Sequence, residues 1–238
     1  MKSQPRLVEV RQRVLKQNDV IARELRQRFA DSGMFVVSLV SSPGSGKTAF
    51  LERTLAMARA KYRTGALVGD LATDNDAVRL ARSQVPVKQI TTGTICHLEA
   101  EMIRTALDGW MPPDLELLFV ENVGNLVCPS SYDLGENLRL VLMSVTEGED
   151  KPLKYPTIYN TADVAIITKT DLAAAVEFNS AAAHANIQAV RPGMEILDVS
   201  VKTGDGMAQW MQLLESRMVE SRAEKIDNAD IQITGVPS

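Results

Sequence analysis

The sequence predicts an α/β protein in which a mostly parallel sheet is flanked by helices in three layers. Short valine-rich apolar runs have the length and composition of buried strands. Five strands are predicted, at 34–40, 64–70, 115–122, 162–169 and 194–200. Helical patterns separate them, for example at 48–61, 97–108 and 205–219. Strands that alternate with helices in this way are typical of a parallel sheet.

The two ends of the chain differ from this alternating pattern. Residues 5–30 have apolar residues at helical spacing, and Gly33 is suited to end that helix. We therefore predict that residues 1–33 form an amphipathic helix packed on the main domain. Residues 34–221 form that domain, and the polar segment 222–238, which lacks a periodic apolar face, is predicted as a tail.

Composition excludes several classes of function. The formal charge of −4 and the pI of about 5.4 do not provide the basic face that nucleic-acid binding requires. No apolar run reaches the roughly 18 residues of a membrane span, and the N-terminus lacks the apolar core of a secretory signal. Two cysteines do not form a disulfide framework, so we expect a reducing, cytoplasmic environment.

A phosphate-binding loop follows the first predicted strand. The segment SSPGSGKT (41–48) has the Walker A pattern, except that Ser41 replaces its first glycine. Glycines let the backbone N–H groups face phosphate oxygens, and the next helix directs its positive end to the same place. A Gly/Ser-rich turn is the alternative, but the strand before and the helix after favour a P-loop NTPase. The predicted nucleotide-binding residues here are Gly44, Ser45, Gly46, Lys47, Thr48 and Ala49.

A guanine pocket is predicted from two later segments. TKTD (168–171) resembles the N-K-x-D signature, in which Asp171 accepts hydrogen bonds from groups that adenine lacks, while Lys169 covers the base. SVK, comprising Ser200, Val201 and Lys202, resembles the S-A-K element that follows the next strand. TKTD alone could be a helix N-terminus with an aspartate cap. Together with the phosphate loop, the two segments predict binding of GTP and GDP.

Acidic residues for Mg²⁺ and hydrolysis lie at predicted strand ends. Asp70 and Glu121 each end a strand at the edge where parallel sheets bind ligands. With Thr48 they are the candidate Mg²⁺ ligands, and Lys47 is the candidate catalytic lysine. Gly124 in ENVG is predicted to donate its N–H group to the γ-phosphate. Asp74 and Asp76 follow Asp70 in the next loop, and they are either switch residues or caps of a helix at 77–83.

Two loops on the same predicted edge carry both cysteines of the chain. Cys96 and His97 precede one helix, and Cys128 lies four residues beyond Gly124. Two thiolates and an imidazole form a soft ligand set suited to Zn²⁺, Ni²⁺ or Cu(I). The spacing is not a metal-binding signature, however, and composition alone favours buried structural cysteines. His184 lies in an alanine-rich segment without a partner nearby in the sequence, which predicts a surface helix residue.

The motifs taken together resemble the HypB family of GTPases, which assist nickel insertion into [NiFe]-hydrogenase. The resemblance covers residues 34–221 and is carried by SSPGSGKT, GDLATDNDA, TGTICHLEAEM, ENVGNLVCP, LKYP and TKTDL. It implies a P-loop GTPase of the nucleotide-dependent dimer type. It also implies a Ni²⁺ or Zn²⁺ site of Cys96, His97 and Cys128 at the dimer interface. The implied partners are a HypA-family nickel chaperone and the hydrogenase large subunit.

Two departures from the family pattern, one residue of open role and three alternative functions accompany the resemblance. Thr168 replaces the asparagine whose amide usually ties the base loop to the phosphate loop, which puts nucleotide affinity in doubt. Residues 1–33 lack the His-rich or Cys-rich stretch of many members, which argues against nickel storage. Lys154 is either a contact to nucleotide across the dimer or a solvated lysine. The alternatives in function are a small-molecule kinase, a non-catalytic metal-binding scaffold, and a GTPase that delivers nickel to another enzyme such as urease.

Overall fold

The fold is built on one parallel sheet. The computed structural model describes the backbone of residues 4–70, 75–112 and 114–234, and the side chains of 12–70, 76–112 and 114–223. Within those ranges, seven strands form a single sheet. They are β1 Phe35–Ser41, β2 Thr64–Asp70, β3 Val87–Thr91, β4 Leu117–Glu121, β5 Leu138–Ser144, β6 Val164–Thr168 and β7 Glu195–Val199.

The strand order places the candidate site at the centre of one sheet edge. The order is β3-β2-β4-β1-β5-β6-β7, and every pair is parallel. β1 lies between β4 and β5, and all seven of its residues are buried. The chain crosses from one half of the sheet to the other around β1, which is the switch point where open parallel sheets bind ligands. The loops after β1, β2, β4 and β6 therefore meet at this edge.

Helices cover both faces of the sheet, as the three-layer prediction requires. Successive side chains of β1 point to opposite faces. Val37 and Leu39 pack with Phe50 and Trp210 on one face, whereas Val36 packs on the other. The helices are α1 Gln4–Asp31, α2 Lys47–Ala58, α3 Asn75–Ala81, α4 Ala100–Asp108, α5 Lys151–Lys154, α6 Pro156–Thr161, α7 Ser180–Val190 and α8 Met207–Thr234. The predicted fold class is confirmed.

Polar contacts join α1 to the rest of the chain. The Asn18 amide donates to the Asp133 carbonyl oxygen at 2.8 Å, and its oxygen accepts from the Ala100 N–H at 2.9 Å. Ala100 is the first residue of α4, so Asn18 supplies the acceptor that a helix N-terminus otherwise lacks. Arg26 adds an ion pair to Asp133 at 2.7 Å. These bonds fix α1 beside the start of α4, just after the candidate metal ligands Cys96 and His97.

The structure differs from the predicted elements in two places. The strands β3 and β5 were not predicted. The sequence of β3, VKQIT, is short and partly polar. The strand β5 is buried on both faces, so its sequence lacks the alternation of polar and apolar residues that marks a half-buried strand. At the other end, α8 continues to Thr234 through most of the segment predicted as a tail, since no glycine or proline interrupts residues 207–234. The proposed domain boundaries stay a prediction. None of the described helices has the length and apolar character needed to cross a membrane.

Candidate functional site

The loop between β1 and α2 encloses one side of a cavity of about 570 Å³. Gly44 and Gly46 have φ angles of 76° and 89°, a region that favours glycine, so the backbone turns as the motif predicts. The lining contains every predicted residue of the loop together with Asp70, Gly124 and Lys169. Asp76 also lines it, at the start of α3, whereas Asp74 lies outside the described residues. The phosphate loop, Asp70, Asp76 and the candidate γ-phosphate sensor Gly124 therefore share one cavity.

Glu121 lies beneath this cavity and holds two of its residues. Its Oε1 atom accepts a hydrogen bond from the Thr48 hydroxyl at 2.7 Å and lies 3.3 Å from Lys47 Nζ. Glu121 is 1% exposed, and its Oε2 atom accepts no hydrogen bond from any described residue. Burial raises the pKa of this carboxyl group, while Lys47 and Thr48 act in the opposite direction. A buried carboxylate oxygen without a partner, beside a hydroxyl group, fits the oxygen ligands that Mg²⁺ prefers.

A second cavity, of about 330 Å³, continues from the first toward β6 and β7. Its lining includes Asp171, Lys169, Val201 and Lys202. The Ser200 hydroxyl donates to Asp171 Oδ1 at 2.8 Å, which orients the carboxylate, and Lys202 Nζ lies 4.0 Å from Oδ2. The predicted TKTD and SVK segments therefore meet as expected from their places at adjacent strand ends.

Thr168 ties the base loop to the phosphate loop, contrary to our expectation. Its buried hydroxyl is within hydrogen-bonding distance of two carbonyl oxygens, those of Ser45 and Met143. Lys169 adds a second tie, because its Nζ donates to the Gly44 carbonyl oxygen at 2.7 Å. The expected loss of this connection was therefore wrong. A hydroxyl group on β6 reaches the phosphate loop directly, so a longer amide is not required.

Cys96, His97 and Cys128 converge in space. One ligand atom from each lies within 4.8 Å of the others, and the two sulfur atoms, which are not joined in a disulfide, are 2.9 Å apart. His97 is buried and packs against the Tyr132 ring, and its Nδ1 atom has no hydrogen-bond partner among the described residues. Burial lowers the His97 pKa, although Glu99, 3.4 Å from Nε2, opposes this. A neutral imidazole and two cysteines, which bind metal as thiolates, form the soft ligand set that the sequence suggested.

The ENVGN segment (121–125) connects the phosphate cavity to this cluster. A Cβ atom on Gly124 would lie 3.1 Å from Pro43, so the glycine backbone rests directly on the phosphate loop. Asn122 Oδ1 accepts from the Leu98 N–H at 2.9 Å. Asn125 contacts the Cys96 carbonyl oxygen through its amide at 3.4 Å and accepts from the Val127 N–H at 2.8 Å. Sequence reasoning missed both asparagines, although they flank Gly124 in the motif.

Three other residues complete the comparison with the sequence predictions. His184 lies on α7, as predicted, but it has a partner, because its Nε2 atom is 3.0 Å from Asp198 Oδ2. Lys154 forms an exposed ion pair with Asp150 at 2.6 Å and lines neither cavity of its own chain. Arg79 lines both cavities and was not predicted. A single arginine in a helical pattern carries no signal that would single it out.

A family model and two related proteins all place the chain in the same family. The family described as CobW/HypB/UreG, nucleotide-binding domain, matches residues 35–198. The hydrogenase maturation factor HypB of Azotobacter vinelandii is 43% identical over 225 residues, which cover 94% of this chain and 74% of that protein. The hydrogenase/urease maturation factor HypB of Helicobacter pylori (strain ATCC 700392 / 26695) is 39% identical over 219 residues, or 90% and 89% of the two chains.

A solved structure agrees with these relatives. The crystal structure of HypB from Helicobacter pylori in complex with nickel superposes with a TM-score of 0.81 at 40% sequence identity. The match covers 86% of this chain and 96% of that one. Since sequence, fold and motif order agree over most of its length, the chain belongs to the HypB family of hydrogenase maturation factors, within the CobW/HypB/UreG group of P-loop nucleotide-binding proteins.

Proposed function

We propose that this chain is a GTP-hydrolysing metallochaperone that helps deliver nickel into the large subunit of [NiFe]-hydrogenase. Nickel is its cargo, held by Cys96, His97 and Cys128. One observation carries the proposal: the ENVGN segment rests on the phosphate loop at Gly124 and, one residue later, Asn125 contacts the Cys96 carbonyl group. A change in the nucleotide at one end of this segment would therefore shift the loop that carries the metal ligand Cys96 at the other end. The nickel complex of the Helicobacter pylori relative supports the choice of metal.

The hydrolytic roles follow from the charges around the phosphate cavity. Lys47 would neutralise the terminal phosphates, and the N–H groups of residues 44–49 would hold their oxygens. Thr48, Glu121 and Asp70 would hold Mg²⁺, which when bound neutralises the phosphate charge that develops during hydrolysis. The Gly124 N–H group would donate to the γ-phosphate. The contact between Glu121 and both Lys47 and Thr48 supports this arrangement, because a single buried carboxylate aligns the lysine and the hydroxyl group.

Guanine selectivity would come from Asp171. Its carboxylate would accept from the N1–H and N2–H groups of guanine, while Ser200 holds it in place. Lys169 would lie over the base, and the Val201 and Lys202 backbone would face the O6 atom. A kinase acting on a small molecule has no use for such a pocket, so this geometry favours a GTPase.

Replacement of Asp171 tests this part of the function. Asp171→Asn is expected to weaken GDP binding about 100-fold, because hydrogen bonds to charged groups contribute about 1.5–3 kcal/mol each. Xanthine carries a carbonyl oxygen in place of the guanine amino group. The amide that the substitution introduces could donate to that oxygen, so xanthosine diphosphate is expected to bind the variant better than it binds the wild type. Calorimetric titration of the wild type and the variant with both nucleotides measures these affinities. Unchanged GDP affinity would refute the assignment.

The assembly and partners form the remaining part of the proposal. A symmetric dimer would bring two copies of the same Cys-His-Cys surface together. We propose a nucleotide-dependent homodimer that receives nickel from a HypA-family chaperone and acts in the cytoplasm on the hydrogenase large subunit. A second candidate function, delivery of nickel to urease as well, is favoured by the relative named as a hydrogenase/urease maturation factor. Hydrogenase and urease activity in a host that lacks its own factor and expresses this chain would distinguish the two.

A further inference from the structure

Arg79 lies where the two nucleotide cavities meet. It lines the cavity at the phosphate loop and also the cavity around Asp171. Three other residues share this position, namely Gly46, Ala49 and Lys169. A nucleotide that spans both cavities would place its sugar and first phosphate at their junction. None of the functional roles assigned above uses Arg79.

Among the described residues, Glu52 is the one acid that holds the Arg79 guanidinium group. Its Nε atom lies 2.8 Å from Glu52 Oε2, on α2, which begins at the phosphate loop. The side chain is 44% exposed, so it does not belong to the core. A guanidinium group has five N–H donors, and within the described chain the Glu52 contact is the one ion pair that Arg79 forms. No described residue accepts a hydrogen bond from its two Nη nitrogens, so these can donate to a ligand.

The other cations of the phosphate cavity are engaged with the protein. Lys47 faces Glu121 and Lys169 donates to the Gly44 carbonyl oxygen. The acids Asp70 and Asp76 also line this cavity. A planar guanidinium group that is held at Nε can still offer its remaining N–H donors to two phosphate oxygens, a geometry that arginine commonly uses. The available cation at the junction therefore fits an anionic ligand group.

We propose that Arg79 is a nucleotide-binding residue that donates to the α-phosphate, and that Glu52 positions it. This rests on the proposed function, because it requires a guanine nucleotide in the two cavities. The contact joins α3, which carries Arg79, to the nucleotide.

Competition binding tests the proposal. A fluorescent GDP analogue is displaced by GDP, by GMP and by guanosine, from the wild type, Arg79→Ala, Glu52→Gln and Arg82→Ala. Arg79→Ala is expected to weaken GDP and GMP about tenfold or more and to leave guanosine unchanged. Glu52→Gln, which keeps the guanidinium group but loosens it, is expected to weaken GDP by a smaller factor. Arg82→Ala, an exposed arginine just beyond α3, is the matched control and should bind as the wild type does.

The outcomes distinguish failure of the Arg79 proposal from failure of the proposed function. Wild-type GDP affinity in Arg79→Ala would overturn this proposal alone. An equal loss for GDP and guanosine would place Arg79 on the base or sugar and overturn the phosphate assignment. A wild-type chain that binds none of the three would overturn the proposed function itself. Equal unfolding temperatures of all variants without nucleotide would exclude misfolding as the cause of a loss.

Discussion

Glu121→Gln is expected to reduce GTP turnover about 100-fold or more while GDP binding changes little. Removal of one preorganised electrostatic group at a reaction centre commonly costs about 10²–10³ in rate. The substitution removes a charge that faces Lys47 and accepts from Thr48, and it removes a proposed Mg²⁺ ligand. Lys47 is then free to bind phosphate, so nucleotide binding should persist. Phosphate release with saturating GTP and Mg²⁺ measures the effect.

Glu136 provides the matched control for this substitution. Its side chain is 6% exposed and pairs with Arg139 at 2.6 Å, and it lines neither nucleotide cavity. Glu136→Gln is expected to lower the free energy of unfolding but to leave turnover per folded molecule near that of the wild type. Equal losses of turnover in the two variants would mean that Glu121 acts through stability. Absence of Mg²⁺-dependent turnover in the wild type would favour the non-catalytic scaffold.

Cys128→Ser is expected to weaken nickel binding more than about 100-fold, since even loss of a residue that only supports a metal ligand commonly costs 10–100-fold. The thiolate-to-nickel absorption should fall with it. A serine hydroxyl is a harder and more weakly acidic ligand than a thiol and is poorly suited to this metal. Cys96→Ser should behave in the same way, because the two sulfur atoms are adjacent. Nickel titration of the thiol-reduced, metal-free protein, followed by absorption, measures both.

The two histidines of the chain make the control for this site. His97→Ala is expected to weaken nickel binding, because its ring nitrogens lie in the cluster. His184→Ala is expected to have no effect, because His184, on α7, pairs with Asp198 of β7 and is not part of the cluster. Nickel affinity that survives in both cysteine variants would identify the cysteines as packing residues.

Sequence predicted those parts of the site that are set by local pattern. The phosphate loop, TKTD and SVK each combine a strand end with fixed residue spacing, and the structure places them around two joined cavities. Cys96 and Cys128 are 32 positions apart, and no pattern of one helix or strand fixes the distance between them. Their pairing was suggested by the shared sheet edge and by resemblance, and the folded chain brings their sulfur atoms together.

The residues that sequence reasoning missed act through tertiary contacts. Asn122 and Asn125 bond to the backbone around residues 96–98, more than 20 positions away, so nothing in their own neighbourhood reveals those bonds. Thr168 reaches the phosphate loop because β6 and that loop end at the same edge of the sheet. Arg79 joins two cavities whose walls come from several separate segments. Such contacts follow from the register of the sheet and not from periodicity.

The link between nucleotide and metal is the central claim. Gly124 rests on the phosphate loop, and the Asn125 side chain spans the Cys96 carbonyl group and the backbone next to Cys128. A γ-phosphate that draws the Gly124 N–H group toward it would move both cysteine-bearing loops together. Linkage of this kind is reciprocal, so nickel must also change the affinity for nucleotide.

The most direct measurement is the nickel affinity of the metal-free, thiol-reduced protein with GDP and with a non-hydrolysable GTP analogue. The two affinities are expected to differ about fivefold or more, the lower end of typical coupling between sites. Asn125→Ala should bind both nucleotides normally but reduce this difference, because it removes the bond to the Cys96 loop. Equal nickel affinity in the two nucleotide states of the wild type would contradict the proposed coupling.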